Sequence, residues 1–227
     1  MSGFRDSILN MKAIENMYNN IINILVVCSK KMLEDCIENN LQIQNHEEKI
    51  RNELLEKYLE NDEIRKLNGF NNFRFIPEGL ESYNEVSKTF IGRVDIKVVS
   101  ENWFRNRNDY CIIECKRIDG NKNLNEKFIT QGICRYVSNP VKYPSYNKKN
   151  IMFGFVVKNI DIHSNVLQIN HLQKQDVSIS LHKELISCKK SQLNDHVYTG
   201  EYKVNGDFLE IKFLFFDFSP IVEVKES

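Results

Sequence analysis

The stretch YCIIECKRIDG, residues 110–120, ends an apolar run with Glu114 and Lys116, two positions apart. Its first nine residues are rich in side chains that favour strands, and in a strand residues i and i+2 leave the same face. Glu114 and Lys116 therefore project together, with the backbone carbonyl of Cys115 between them. Charge at the end of an apolar strand is costly unless it is paired or put to use. The plain reading is an ion pair on a solvated sheet face, and the flanking sequence decides between that and chemistry.

Upstream, GRVDIKVVS (92–100) sets Val94, Ile96 and Val98 in alternation with Arg93, Asp95 and Lys97. The spacing predicts a strand that turns Asp95 toward Glu114 across a hairpin. Two carboxylates brought together repel one another unless a cation lies between them. Hard oxygen donors of this kind suit Mg²⁺, or Mn²⁺ in its place. Lys116 beside such an ion would stabilise the charge that grows on a phosphate during phosphodiester hydrolysis.

A helix is expected from an N-cap at Asn45 to about Lys66, with Ile50, Leu54, Leu55, Tyr58 and Leu59 as its apolar stripe. Glu47 falls near the centre of that stripe and Glu48 near its edge, so an acid points inward, with Glu47 the better placed. NFRFIPE (72–78) reads as a further strand. Beyond the glutamate-lysine pair, residues 125–139 read as a helix closed by Pro140, and NIMFGFVVKN (150–159) as a strand buried on both faces. Before all of these, residues 11–40 carry Ile14, Met17, Ile21, Ile24 and Leu25 at helical spacing, a packing arm of one or two helices. After them, a short strand at 166–170, a helix over 177–193 and strands at 196–202 and 208–218 are expected.

The order predicts an α/β protein whose central mixed sheet is flanked by helices. It forms a single domain: a helical arm (1–44), a core (45–158) and a C-terminal extension of the sheet (159–227). A chain of 227 residues, 41% apolar and 27% charged, suits one substantial core. The six cysteines form no metal-like pairing with the five histidines, which predicts a reduced, cytoplasmic protein. The apolar run at 21–28 is far shorter than the roughly 20 residues of a membrane span, so no membrane partner is expected.

Thirty-one basic residues balance thirty-one acidic ones, so no global field attracts a polyanion. From Lys116 to Lys149, however, eight basic residues face only Asp119 and Glu126, the one strongly basic region of the chain. Lys122, Lys127, Gln131 and Arg135 in and before the helix are candidates for nucleic-acid contact. Arg105 and Arg107, beside Trp103 and Phe104 in the loop ENWFRNRND, are two more. Neutral net charge argues against a tight free-standing binder, so a homodimer or a partner protein is expected to supply the rest.

Taken in order, Glu47 on a helix, GRVDIKV with Asp95, CIIECKRI with Glu114 and Lys116, and ITQGICRYV with Gln131 resemble the PD-(D/E)xK, restriction-endonuclease-like nuclease superfamily over about residues 45–158. GRVDI, ECKRI, GICRYV and MFGFVV in succession are similar to uncharacterised bacterial members that accompany defence genes. The resemblance implies a Mg²⁺-dependent nuclease, with DNA as its substrate and a place in an anti-phage defence complex. It implies metal ligation by Glu47, Asp95, Glu114 and the Cys115 carbonyl, assistance to the attacking water by Lys116, and a following helix facing nucleic acid. The proline that precedes the acid in the motif is replaced by Val94. Two rivals stand beside this reading: a restriction enzyme with its own sequence specificity, and a non-catalytic binding or assembly module on the same fold.

Overall fold

The computed structural model describes residues 3–101, 108, 110–144, 147–176, 178–188 and 196–224. Seven strands, β1 (Phe73–Pro77), β4 (Ile96–Ser100), β5 (Tyr110–Ile118), β6 (Lys149–Val156), β7 (Leu181–Ser187), β8 (Val197–Val204) and β9 (Asp207–Asp217), form one mixed sheet. Their order across it is β1, β4, β5, β6, β9, β8, β7. β5, β6 and β9 are parallel, and the strands on either side of that trio are antiparallel. A separate hairpin, β2 (Leu80–Asn84) with β3 (Thr89–Arg93), leaves the sheet between β1 and β4. Among the described residues six α-helices accompany the strands: α1 (Gly3–Glu38), α2 (Glu47–Leu54), α3 (Asp62–Leu67), α4 (Lys122–Phe128), α5 (Cys134–Val137) and α6 (Ile162–Gln175).

Period-two alternation divides the central strands between two cores, one on each face of the sheet. Cys111, Ile113 and Cys115 of β5, with Ile151, Phe153 and Phe155 of β6, pack against Tyr18, Ile21 and Leu25 of α1 and Ile50 and Leu54 of α2. Ile112 and Ile118 of β5, with Met152 and Val156 of β6, pack instead against Phe128 of α4 and Ile162, Val166 and Ile169 of α6. Helices thus cover both faces, the arrangement a parallel centre requires. Lys149 and Lys212 on the sheet share Glu15 of α1, with Nζ to carboxylate distances of 2.7 Å each, which ties α1 to β6 and β9. Among the described residues no helix is long and apolar enough to cross a membrane.

Several expectations need correction. Residues 92–100 are not one strand: β3 ends at Arg93 to pair with β2, and β4 begins at Ile96 to pair with β1 and β5. Val94 N–H donates to Gly79 at 2.9 Å, and Glu78 N–H to the Asp95 carbonyl at 3.1 Å, so the chain crosses over at these two residues. Alternation breaks with it: Val94 lies in the α4–α6 core and Ile96 in the opposite one. Buried Glu81 anchors the hairpin, accepting from Tyr110 Oη at 2.6 Å and Lys97 Nζ at 3.0 Å.

The helix over 45–66 starts at Glu47 with His46 as cap, passes through a π-helical turn at Leu55–Leu59 and restarts as α3, where the Asn61 side chain accepts from Glu63 and Ile64 N–H. Residues 166–170 are helical, part of α6; Ile162, Val166 and Ile169 repeat at helical spacing, and the Asp161 side chain caps Ser164 N–H. Within 177–193 the structure has strand β7, not a helix; Val177 and residues 189–193 lie outside the described residues. Arg105 and Arg107, with Trp103 and Phe104, lie outside them too.

Gly154 of β6 sits under an aromatic ring where the three parallel strands meet. A Cβ built there would stand 2.8 Å from Phe215 Cε1 and closer still to Cδ1. Phe215 is fully buried and stacks on Phe128 at 5.5 Å, so the ring has nowhere to go. Gly154→Ala is therefore expected to destabilise by about 1–3 kcal/mol, the usual cost of overpacking a core. An unchanged urea midpoint would show that the ring can yield.

Candidate active site

β5 outruns its neighbour. Its ladder with β4 ends at the Ile96–Ile113 pair, while its ladder with β6 continues to Ile118. The exposed flank of β5 beyond Ile113 would leave backbone donors without a strand partner, and carboxylates take them instead. Cys115 N–H donates to Asp95 Oδ2 at 2.8 Å, and Arg117 N–H to Glu47 Oε2 at 3.3 Å. The break at Val94 and Asp95 creates this notch, and the start of α2 closes it.

Within the notch the structure brings together Glu47, Asp95, Glu114 and Lys116. Lys116 Nζ lies 2.7 Å from the Cys115 carbonyl, 2.8 Å from Glu47 Oε1, 2.8 Å from Glu114 Oε1 and 3.8 Å from Asp95 Oδ2. Glu48, one residue on, is exposed at the rim, and it is Glu47 that reaches the lysine. The expected solvated sheet face is not found: Glu114 is 0% and Lys116 6% exposed, because α4 and α5 cover that side of β5.

Three more residues complete the site, and two of them, Arg51 and Tyr143, escape a reading of the sequence. Arg51, one turn beyond Glu47 and 5% exposed, donates to Asp95 Oδ1 at 2.7 Å and to Glu78 Oε1 at 3.0 Å. Its i+4 spacing from Glu47 is the available signal, since both then leave α2 on one side. Arg135, expected to contact nucleic acid, turns inward: its Nε lies 3.2 Å from Glu114 Oε1, and its Nη1 meets the Tyr143 hydroxyl. Tyr143 in turn places its hydroxyl 3.0 Å from Glu114 Oε2 and 2.6 Å from the Arg93 carbonyl. It comes from an irregular stretch where no periodicity could have singled it out. Tyr136, beside Arg135, is a core residue whose hydroxyl donates to the Ile151 carbonyl at 3.1 Å.

These contacts set the electrostatics. Burial, and then the nearby Asp95 charge, push the Glu114 carboxyl up to about 7, against the opposing pull of Lys116 and Arg135. Burial alone would lower the Lys116 pKa, but Glu114, Glu47 and Asp95 outweigh it and hold the ammonium well above its ordinary range. Glu114 Oε1, although near both cations, has no aligned hydrogen bond to either.

The notch opens into a cleft of about 430 Å³ lined on one side by His46, Glu47 and Arg51 and on the other by Leu124, Lys127 and Gln131. Arg93 and Arg117 also border it. Gln131 stands in a π-helical turn (Ile129–Ile133) between α4 and α5, exposed to the cleft, as is Lys127. Lys122 lies farther along α4, exposed, 3.5 Å from Glu126. Arg117 holds the entrance to α2, its Nη1 donating to the Asn45 side chain at 2.7 Å.

Among the described residues, no three His, Cys, Asp or Glu side chains stand ready as a metal-binding group. What converges is a set of hard oxygens, from three carboxylates and one carbonyl, on a single cationic atom. That donor chemistry fits Mg²⁺ or Mn²⁺, ions that favour carboxylate and carbonyl oxygen. Compared with known proteins, the chain matches no family model, no curated protein and no solved structure.

Proposed function

We propose that the chain is a Mg²⁺-dependent nuclease that hydrolyses phosphodiester bonds, with DNA as its first candidate substrate. The observation that carries the reading is the convergence of Glu47, Asp95, Glu114 and the Cys115 carbonyl on one cationic point at the floor of an open cleft. Glu47, Asp95, Glu114 and the Cys115 carbonyl would hold the ion. When bound, it would polarise the scissile phosphate and ease deprotonation of the attacking water. Lys116 supplies a positive charge beside the phosphate on which negative charge grows. Arg51 and the Cys115 N–H hold the two oxygens of Asp95 in place, and Arg135 and Tyr143 do the same for Glu114. The resemblance of the motif order to the PD-(D/E)xK superfamily supports the same assignment and extends it to a defence effector, acting in the cytoplasm with a second copy or a partner protein.

The direct test is incubation of the full chain with plasmid, single-stranded DNA and RNA, in Mg²⁺, Mn²⁺ or chelator. Metal-dependent cutting that Asp95→Ala loses is the expected result. Cleavage at one defined site would favour a restriction enzyme over an effector. A second reading has its own support: Lys116, Arg51 and Arg135 already balance the three carboxylates, as in a binding module that needs no ion. Nucleic-acid binding without cutting under every metal condition would favour that module.

Lys127 and Arg93 border the cleft and are exposed, which makes them the first candidates for phosphate contact. Arg135 is not a suitable choice, because reversing its charge would disrupt Glu114. Lys127→Glu with Arg93→Glu is expected to weaken duplex binding to unrelated sequences alike. It should also flatten the slope of log affinity against log salt by roughly 0.9 for each phosphate no longer neutralised. An unchanged slope in a metal-free titration would move the path of the nucleic acid to another face.

A further inference from the structure

Lys116 Nζ occupies the point on which the oxygens of the site converge, 2.7 Å from the Cys115 carbonyl and 2.8 Å from Glu47 Oε1 and Glu114 Oε1. These are the donors that the proposed function assigns to a divalent ion. An ammonium and a divalent ion cannot share them, since like charges at contact distance repel strongly in a partly buried site. Glu114 Oε1 lies 2.8 Å from the ammonium, whereas a small divalent ion would approach the same oxygen to roughly 2.0–2.1 Å and carries twice the charge.

Lys116 has a way out. It borders the open cleft together with Lys127 and Gln131. Its stem passes Gly132 of the π-helical turn, a residue with no side chain, where a Cβ would stand 3.4 Å from Lys116 Cγ.

We propose that Lys116 is a resident cation: it holds the metal seat in the resting protein and yields it to a divalent ion, so that the metal-free site is blocked by its own catalytic lysine. This rests on the reading of the site as a metal-dependent nuclease. One exchange would then seat the ion and release the ammonium toward the cleft, where a phosphate arrives. Activity would switch on over the ion concentrations at which the exchange occurs.

The test is Mn²⁺ binding to the full chain by calorimetry at pH 8, without nucleic acid. Lys116→Met is expected to bind Mn²⁺ about tenfold or more tightly than the wild type, because a competing charge has been removed. Glu47→Gln should bind it more weakly. Equal or weaker binding by Lys116→Met, with the wild type still binding, overturns the exchange while leaving the metal site intact. Absence of binding in both proteins overturns the nuclease reading and the exchange with it. A measurement on the wild type covers the case in which the methionine variant does not fold. Acetylation of Lys116 by acetic anhydride, read by mass spectrometry, should rise at saturating Mn²⁺ relative to the other lysines. Unchanged or reduced labelling at saturation overturns the proposal.

Discussion

Glu114→Gln is expected to lower metal-dependent cleavage by more than about 100-fold, the scale for loss of one transition-state stabilising group. The amide keeps the shape of the carboxyl but removes the charge that faces Lys116 and Arg135. The same variant should change how stability depends on pH in the metal-free protein. The Glu114 carboxyl is raised to about 7 by burial and by Asp95, from 4.5 when free. Between those values the folded chain holds a proton that the unfolded chain has released, so the stability this group contributes is full below about pH 4.5 and is lost as pH rises toward 7. The span is on the order of 3 kcal/mol, at 1.36 kcal/mol per pKa unit. Urea unfolding at pH 5 and at pH 8, in chelator, should show a smaller difference for Glu114→Gln than for the wild type. Wild-type rates from the purified variant would remove Glu114 from the active site.

What made the site legible in sequence was local geometry, and what hid the rest was pairing at a distance. Period two in 110–118 placed Glu114 and Lys116 together, and period 3.6 in 47–59 turned Glu47 inward; both are properties of a single element. That β5 extends past β4 by several residues is a matter of register between strands, and no residue in either strand announces it. The notch follows from that register, and the burial of Glu114 and Lys116 from the helices packed over the same face of β5. The β2–β3 hairpin carries no period-two signal, because its exposed apolar residues Leu80, Tyr83 and Phe90 do not alternate and the buried side chain of Glu81 is charged. The run 166–170, expected as a strand, lies in α6, and the span 177–193, expected as a helix, holds β7; apolar residues so few and so spaced do not discriminate helix from strand.

Arg51 shows the same limit, since its partners Asp95 and Glu78 lie 44 and 27 residues away in the chain. Arg51→Met is expected to cost about 3–5 kcal/mol, the scale for breaking a buried ion pair and leaving its partner uncompensated. Asp95 would keep its bond from Cys115 N–H but lose the guanidinium on its other oxygen, so its carboxylate could rotate out of the site. Cleavage should therefore fall as well, even at a temperature where the variant remains folded. Arg51→Lys should recover part of the stability through charge, but one ammonium cannot reproduce the two-armed contact with Asp95 and Glu78. A double-mutant cycle separates the pair from its surroundings: Arg51→Met and Asp95→Asn together should cost less than the sum of the two alone, by about 0.5–3 kcal/mol. Additive losses would mean that Arg51 supports α2 without holding Asp95, and the orientation of that carboxylate would then rest on Cys115 N–H alone.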